Sequence, residues 1–193
     1  MPSDFDFQGT GKDVFWGEIF PSDHFVQIYD DETVFMDTLE GFIGGGLQSG
    51  DGVILISTDV HLNALELRLM QKGFNLEATR ANDRYIALKA EEVLDRFIVK
   101  SWPDDKLFDN IVSELITRAK GDGRRVRAFG EMVAVLWARG DQAATVRLEH
   151  LWHQLCQRDE FSLFCAYPKA GFTRNVTESI KEICAMHSKV LSS

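Results

Sequence analysis

The sequence predicts an α/β fold of three layers, in which a mostly parallel sheet lies between helices on both faces. Short apolar segments typical of buried strands alternate along the chain with helical patterns whose apolar side chains recur every three or four residues. Such alternation indicates βαβ units and therefore a parallel sheet. The length of 193 residues suits a single core that needs no disulfide or metal for stability.

Composition excludes several classes of protein. The net charge is −9, from 21 Lys and Arg against 30 Asp and Glu, so we expect neither a nucleic acid nor a membrane as partner. Three cysteines are a small and odd number, so they do not indicate a disulfide framework. This favours a reducing compartment. The first residues carry no signal-peptide pattern and no apolar run is long enough to span a membrane. We therefore expect a cytoplasmic protein.

Two segments are predicted. Residues 1–22 form an aromatic N-terminal arm, which contains Phe5, Phe7, Phe15, Trp16 and Phe20. So many aromatic side chains indicate that the arm packs on its own domain or on a partner. Residues 23–193 form the single α/β domain.

The first half of this domain begins with a strand at 25–29. Asp30 and Asp31 can cap the helix that follows, in which apolar positions recur at helical spacing: Phe35, Leu39, Phe42, Ile43 and Gly46. After a turn at 49–52, the apolar run 53–56 predicts a strand covered on both faces. Asp59 can cap the next helix, which buries Leu62, Leu65 and Leu69 and ends at Gly73.

The second half is predicted with a short strand at 85–88 and a short helix over 93–98. A helix enters at 102–105 and stops at Gly121, and a third main strand follows at 126–129. Asp141 begins another helix, and 161–167 is the fourth main strand. The last predicted helix carries Val176, Ile180, Ile183, Cys184 and His187.

Ligands of open parallel sheets bind beyond the carboxyl ends of the strands. For this chain, that rule selects four short segments: 29–32, 57–61, 130–131 and 167–169. We expect their side chains to line a ligand crevice.

The turn after the first strand has the position of a phosphate-binding loop but not its chemistry. Such a loop needs small residues, a lysine and a hydroxyl for Mg²⁺. Residues 29–33 contain no glycine and no lysine, and three carboxylates, Asp30, Asp31 and Glu32, would repel a triphosphate. An acidic helix cap explains these residues better. Gly9–Lys12 imitates only part of the motif and follows no strand.

Two polar residues lie within or beside apolar strands. His24 precedes the first strand. It is either a donor to a ligand or, in the favoured interpretation, a buried histidine whose hydrogen bonds are made with backbone groups. Arg127 requires a carboxylate partner, for which Glu131 and Glu149 are the candidates. We favour a structural ion pair over a ligand clamp.

A metal site is considered and not favoured. Cys184 and His187 share a helical face, and other cysteines and histidines could approach them: Cys156, Cys165, His150 and His153. The paired spacings of metal motifs are absent, and cysteine is often a small buried apolar residue. We expect no metal and no cofactor, and leave open whether Cys184 and His187 bind one.

An ordered series of segments resembles one known family. The series consists of His24–Tyr29, Gly50–Ile56, Arg127–Met132 with Trp137, Leu148 and Glu149 with Trp152, Phe164–Pro168, and Ile183–His187. It is similar to the MEDS family, a methanogen and methylotroph sensory domain found in the DcmR regulator. The resemblance covers about residues 23–190.

The resemblance implies a RecA-like, KaiC-related fold that has lost its Walker A loop. It also implies a sensor of small organic compounds that works beside histidine kinases and transcription factors. Six residues match recurrent polar and aromatic positions and are expected to contact the ligand: His24, Tyr29, Arg127, Glu131, Cys165 and Tyr167.

We therefore expect a non-catalytic sensory domain that binds a small organic molecule and signals to a histidine kinase or a regulator. Nothing follows residue 193, so its output is a protein contact unless the chain is a fragment of a longer regulator. A homodimer is left open. The alternatives are a ligand-free interaction module, suggested by the aromatic arm, and a degenerate nucleotide-binding ATPase with Glu131 as base.

Overall fold

The computed structural model describes residues 19–171, 181 and 183–192. Six parallel strands form one sheet in the order β3-β2-β6-β7-β1-β8, and β4 and β5 form a separate antiparallel pair. The strands are β1 (His24–Tyr29), β2 (Gly52–Ser57), β3 (Tyr85–Lys89), β4 (Ile98–Val99), β5 (Trp102–Pro103), β6 (Val126–Gly130), β7 (Ser162–Pro168) and β8 (Lys189–Ser192).

Helices cover both faces of the sheet, which confirms the predicted three-layer α/β architecture. They are α1 (Glu32–Gln48), α2 (Asp59–Gln71), α3 (Leu76–Ala81), α4 (Ala90–Leu94), α5 (Asp105–Lys120), α6 (Met132–Ala138) and α7 (Gln142–Asp159). One apolar core lies between the sheet and α1, α2 and α3. The other lies between the sheet and α4, α5, α6 and α7.

The central strands consist largely of apolar residues because both of their faces are covered. All six residues of β2 are buried, as are all five of β6. Side chains alternate between the two cores: Phe164 and Ala166 face α1, whereas Cys165 and Tyr167 face α7. This alternation decides which of the predicted ligand residues can meet.

Helix starts follow the acidic residues that the sequence indicated, with one exception. Oδ1 of Asp31 accepts hydrogen bonds from the backbone N–H groups of Thr33 and Val34, so the acidic cap of α1 is confirmed. Asp104 caps α5 in the same way. The prediction for α2 is wrong by one residue: Thr58 occupies the cap position, and Asp59 is the first helical residue.

The C-terminal prediction needs a larger correction. Residues 183–185 are helical, but His187 lies outside the helix and leads into β8, a sixth parallel strand that the sequence did not predict. Val176 and Ile180 lie outside the described residues. The short helix expected over 93–98 is also displaced: α4 ends at Leu94, and Ile98 begins β4. Helices α3 and α6 were not predicted.

The partner of Arg127 is a further correction. Its Nε donates to Oδ2 of Asp51 at 2.7 Å, and both side chains are buried. Neither Glu131 nor Glu149 makes this pair. Asp51 belongs to the turn before β2, which lies next to β6 in the sheet, so Arg127 is buried near the amino ends of the strands and far from the predicted crevice.

The described end of the N-terminal arm packs on the domain. Ile19 is buried in the core beneath α1, whereas Phe20 is exposed. Ser162 Oγ donates to the Phe20 carbonyl, and Ser22 N donates to the Phe161 carbonyl. Residues 1–18 lie outside the described part of the chain. None of the helices within the described residues is long and apolar enough to cross a membrane.

Candidate functional site

The carboxyl ends of β1, β2 and β6 bring several polar side chains together, as the strand-end rule predicted. Glu131 directly follows β6, and its backbone N–H donates to the Ile56 carbonyl at 2.8 Å. This bond holds Glu131 against the end of β2, where Ser57 and Thr58 lie. We call Tyr29, Glu32, Ser57, Thr58, His61 and Glu131 the Glu131 site.

Both carboxylate oxygens of Glu131 are used, although only 5% of the residue is exposed. Oε2 accepts hydrogen bonds from Ser57 Oγ at 2.6 Å, from Thr58 N at 2.8 Å and from Thr58 Oγ1 at 3.2 Å. Oε1 lies 2.6 Å from Nδ1 of His61. A buried carboxylate with this many donors is stable in its charged form.

The charges of Glu131 and His61 support each other. Burial alone would raise the pKa of Glu131, but its hydrogen bonds with His61, Ser57 and Thr58 outweigh that effect and lower it. The hydrogen bond to Glu131 raises the pKa of His61 against the opposing effect of burial. The two therefore form an ion pair that joins the end of β6 to the first turn of α2.

An aromatic wall and a second carboxylate complete the site. Tyr29 stacks on Phe35 with ring centroids 4.5 Å apart, and Phe35 meets the edge of the His61 ring at 5.1 Å. Nε2 of His61 lies 3.4 Å from Oε1 of Glu32, whose side chain is 67% exposed. The site is therefore open to solvent on the Glu32 side. Burial and the charges of Glu131 and Glu32 raise the pKa of Tyr29, so it remains a neutral phenol.

The loop after β1 is acidic and held in place. Asp31 caps α1, and Oδ2 of Asp30 pairs with Lys169 Nζ at 2.7 Å, which links this loop to the end of β7. With Glu32 and Glu131 there are four carboxylates against the two cationic partners Lys169 and His61, so the carboxyl edge of the sheet is anionic. An anionic edge repels phosphate and favours neutral or cationic molecules.

The six predicted ligand residues fall into three places. Tyr29 and Glu131 belong to the Glu131 site, and Arg127 pairs with Asp51 elsewhere. His24, Cys165 and Tyr167 meet in a separate buried cluster on the α7 face of the sheet. The structure thus divides five of the six residues between two sites and places Arg127 in neither.

The buried cluster also contains Glu149, which the sequence did not place there, and His187, which the sequence considered beside Cys165 as a possible metal ligand. Glu149 of α7 and His187 approach His24 and Cys165, and one atom from each of these four residues lies within 4.8 Å of the others. We call His24, Glu149, Cys165 and His187 the His24 cluster. These are the residues among those described that are placed to hold a metal ion together.

Burial dominates the chemistry of the His24 cluster. It raises the pKa of Glu149 to about 7, lowers that of His187 to about 4 and lowers that of His24 well below its usual value. The Tyr167 hydroxyl donates to Oε1 of Glu149. Cys156, considered with this group from the sequence, instead directs its thiol at the Phe161 carbonyl at 2.9 Å.

The sequence contained signals for some of the site residues that were not predicted individually. Ser57, Thr58, His61 and Glu32 all lie in the segments that the strand-end rule selected. Glu149 was considered only as a partner for Arg127, although a carboxylate between Leu148 and Leu151 on an apolar helix face requires a buried partner of its own.

Comparison with known proteins identifies the family. A sequence comparison with curated proteins gave no significant match. The family model described as MEDS, the methanogen/methylotroph DcmR sensory domain, matches residues 23–188. This match spans β1 to the residue before β8 and includes both the Glu131 site and the His24 cluster. The chain therefore belongs to the MEDS family of sensory domains.

Proposed function

We propose that this chain is a non-catalytic sensory domain that binds a small organic molecule at the Glu131 site and relays its presence to a signalling or transcriptional partner. The observation that carries the proposal is the contact between Glu131 and His61. It places a buried, charged pair at the carboxyl edge of a parallel sheet, where such folds bind ligands.

The chemistry of the site suggests the class of ligand. Glu131 and Glu32 are acceptors for a cation or a hydrogen-bond donor, and the Tyr29 ring offers an apolar surface. The anionic surroundings disfavour nucleotides and carboxylates. Small alcohols and methylammonium ions meet these requirements, because they combine a donor with one or more methyl groups.

The relay would act through α2. Only Leu65 and Leu69 of this helix are buried, and His61 ties its first turn to Glu131. A ligand that takes over the oxygens of Glu131 replaces His61 and releases that turn. A ligand that binds more tightly to the conformation in which α2 is released would increase the population of that conformation.

The test is a thermal-shift titration of the full chain with methanol, ethanol, methylammonium, trimethylammonium and acetate. We expect at least one neutral or cationic compound to raise the melting temperature in a saturable way, and acetate to have no effect. Glu131→Gln should abolish the ligand-induced increase. Asp59→Asn, at the same edge but exposed and paired with Lys89, should preserve it. If no compound stabilises the chain, this ligand class is wrong.

A second candidate function is a ligand-free interaction module. Three apolar side chains of α2 are exposed on one side of the helix: Val60, Leu67 and Met70, at 70%, 54% and 53%. Their spacing of seven and three residues is that of a helix–helix seam. A dimer in sedimentation experiments that Leu67→Glu dissociates, together with no response to any compound, would favour this function.

A further inference from the structure

The His24 cluster joins four parts of the fold that are distant in sequence. His24 begins β1, Glu149 lies in the middle of α7, Cys165 in β7, and His187 just before β8. The side chains of His24, Glu149 and His187 have no exposed surface, and Cys165 is fully buried. The cluster lies on the α7 face of the sheet and does not include any residue of the Glu131 site.

Three of the six distances between its donor atoms are close to those around a tetrahedral metal ion, and all four atoms lie within 4.8 Å of one another. Oε2 of Glu149 lies 3.7 Å from Nε2 of His24 and 3.4 Å from Nε2 of His187. Sγ of Cys165 lies 3.7 Å from Nε2 of His24. Metal–ligand bonds of about 2.0–2.3 Å in a tetrahedron put neighbouring ligand atoms about 3.3–3.7 Å apart.

Hydrogen bonding within the described residues does not account for two of these four atoms. Oε2 of Glu149 and Nε2 of His187 have no hydrogen-bond partner in residues 19–171 and 183–192, although both are buried. Their separation of 3.4 Å is longer than the usual range for an N–H···O bond. Buried polar atoms without partners are rare in native proteins, and an ion between them would satisfy both.

The outer contacts leave the right atoms available. Nδ1 of His187 contacts the Ile183 carbonyl, so it carries the proton and Nε2 keeps its lone pair toward the cluster. The Tyr167 hydroxyl donates to Oε1 of Glu149, which leaves Oε2 facing inward. Metal-binding histidines and carboxylates typically have such outer partners.

The charges of the four groups also suit a buried ion. Neutral imidazoles are the form that binds metals, and the hydrogen bond from Nδ1 of His187 to the Ile183 carbonyl fits that form. A divalent ion bound to one carboxylate and one thiolate has no net charge, which minimises the cost of burial. The mixture of nitrogen, sulfur and oxygen donors is typical of Zn²⁺ and similar borderline ions.

We propose that His24, Glu149, Cys165 and His187 together bind one divalent metal ion of the Zn²⁺ class. Four protein ligands close the coordination shell, so the ion is structural and not catalytic. It joins the start of β1 and the start of β8 to α7. Metal binding here does not depend on a ligand at the Glu131 site, and a bound metal differs from the absence of a metal expected from the sequence.

Cobalt binding to the full chain tests the proposal. After metal removal in mild denaturant and refolding, one equivalent of Co²⁺ should produce the visible bands of tetrahedral Co²⁺ and a thiolate-to-cobalt charge-transfer band. Zn²⁺ should displace it and raise the melting temperature, and a chelator should lower that temperature. A chain that is folded by near-ultraviolet circular dichroism but shows no cobalt spectrum would overturn the proposal.

Matched cysteine variants locate the site. Cys165→Ser should remove the charge-transfer band and weaken Co²⁺ binding at least tenfold. Cys156→Ser is the control, because Cys156 is equally buried on the same face but bonds to the Phe161 carbonyl. A band that survives in Cys165→Ser, or disappears in Cys156→Ser, would contradict the assignment.

Glu149→Gln keeps the shape of the side chain and provides a second measurement if Cys165→Ser does not fold. It should retain the charge-transfer band of Cys165 while weakening Co²⁺ binding at least tenfold. Unchanged affinity in this variant would exclude Glu149 as a ligand. X-ray absorption of the zinc-loaded native chain, which requires no variant, should show one sulfur and two imidazole ligands. A coordination shell without sulfur would overturn the proposal.

Discussion

Nδ1 of His61 lies 2.6 Å from Oε1 of Glu131, and this contact is the direct link between the first turn of α2 and the end of β6. Glu131 is almost completely buried, whereas His61 retains some exposure toward Glu32. The pair therefore combines a fixed carboxylate with a partner that solvent, or a ligand, can reach. Its energetics can be measured independently of any ligand.

Replacing the charge of Glu131 should destabilise the fold. Glu131→Gln keeps the volume of the side chain but weakens the bonds from His61, Ser57 and the Thr58 backbone, which are strengthened by the negative charge. We expect a loss of about 1–3 kcal/mol in the free energy of unfolding, measured with urea. Asp59→Asn is the control and should change it little. Equal unfolding midpoints for Glu131→Gln and the native chain would contradict this expectation.

The contribution of the Glu131–His61 pair to the free energy of unfolding should decrease at both low and high pH. The lowered pKa of Glu131 makes its contribution present above 4.5, the usual value, and lost as the pH falls through the folded value. The raised pKa of His61 makes its contribution present below 6.5 and lost as the pH rises through the folded value. The pair should therefore stabilise the fold most between these limits.

His61→Gln measures this dependence. The difference in unfolding free energy between the native chain and the variant should be largest between pH 4.5 and pH 6.5 and should shrink on either side. The ring protons of His61, followed by NMR, should titrate above the usual histidine pKa. A difference that does not vary with pH would show that the imidazole is held without charge.

Asp51 should contribute far more to the free energy of unfolding than Asp83, which pairs with an arginine at the surface. Asp51→Asn leaves the guanidinium of Arg127 buried and without its carboxylate, which typically costs about 3–5 kcal/mol. Asp83→Asn, in an exposed pair with Arg118, should cost little. Adding Arg127→Met to Asp51→Asn should recover part of the loss. Similar urea midpoints for the two single variants would refute this prediction.

Two neighbouring glycines should respond differently to alanine. A Cβ on Gly52 would lie 2.1 Å from the Ala119 carbonyl oxygen, so α5 or β2 would have to move. Gly50 has a φ of +81° and open space around it, so Gly50→Ala costs only backbone strain of about 1–2 kcal/mol. Gly52→Ala should cost more or prevent folding, as chemical denaturation would show. The opposite order would indicate that α5 moves easily.

The sequence predicted five of the six strands of the sheet, including β3 at one edge, and missed β8 at the other. Strands β1, β2, β6 and β7 are apolar runs bounded by turns, which is the strongest local signal for a buried strand. Strand β8 has four residues, two of them apolar, too short a segment to show a pattern. Helix α6 is buried almost all round, so it lacks the amphipathic period by which helices are recognised.

The two sites also differ in how far they can be predicted from the sequence. The Glu131 site follows from a topological rule, because every parallel strand ends at the same edge and the residues after it can be read directly. The His24 cluster depends on side chains separated by up to 163 positions, from His24 to His187. No local spacing records their proximity, and the alternation along β7 only places Cys165 and Tyr167 on one face.

Only Ser188 separates His187 from β8, so the His24 cluster lies next to the strand that closes one edge of the sheet. Strand β8 pairs with β1 and, among the strands of the described residues, is the last on that side of the sheet. If His187 lost its anchorage, β8 would detach and the backbone amides and carbonyls of β1 would become accessible to other chains. Damage to the His24 cluster would then appear as self-association through exposed strands, at temperatures where most of the domain is still folded.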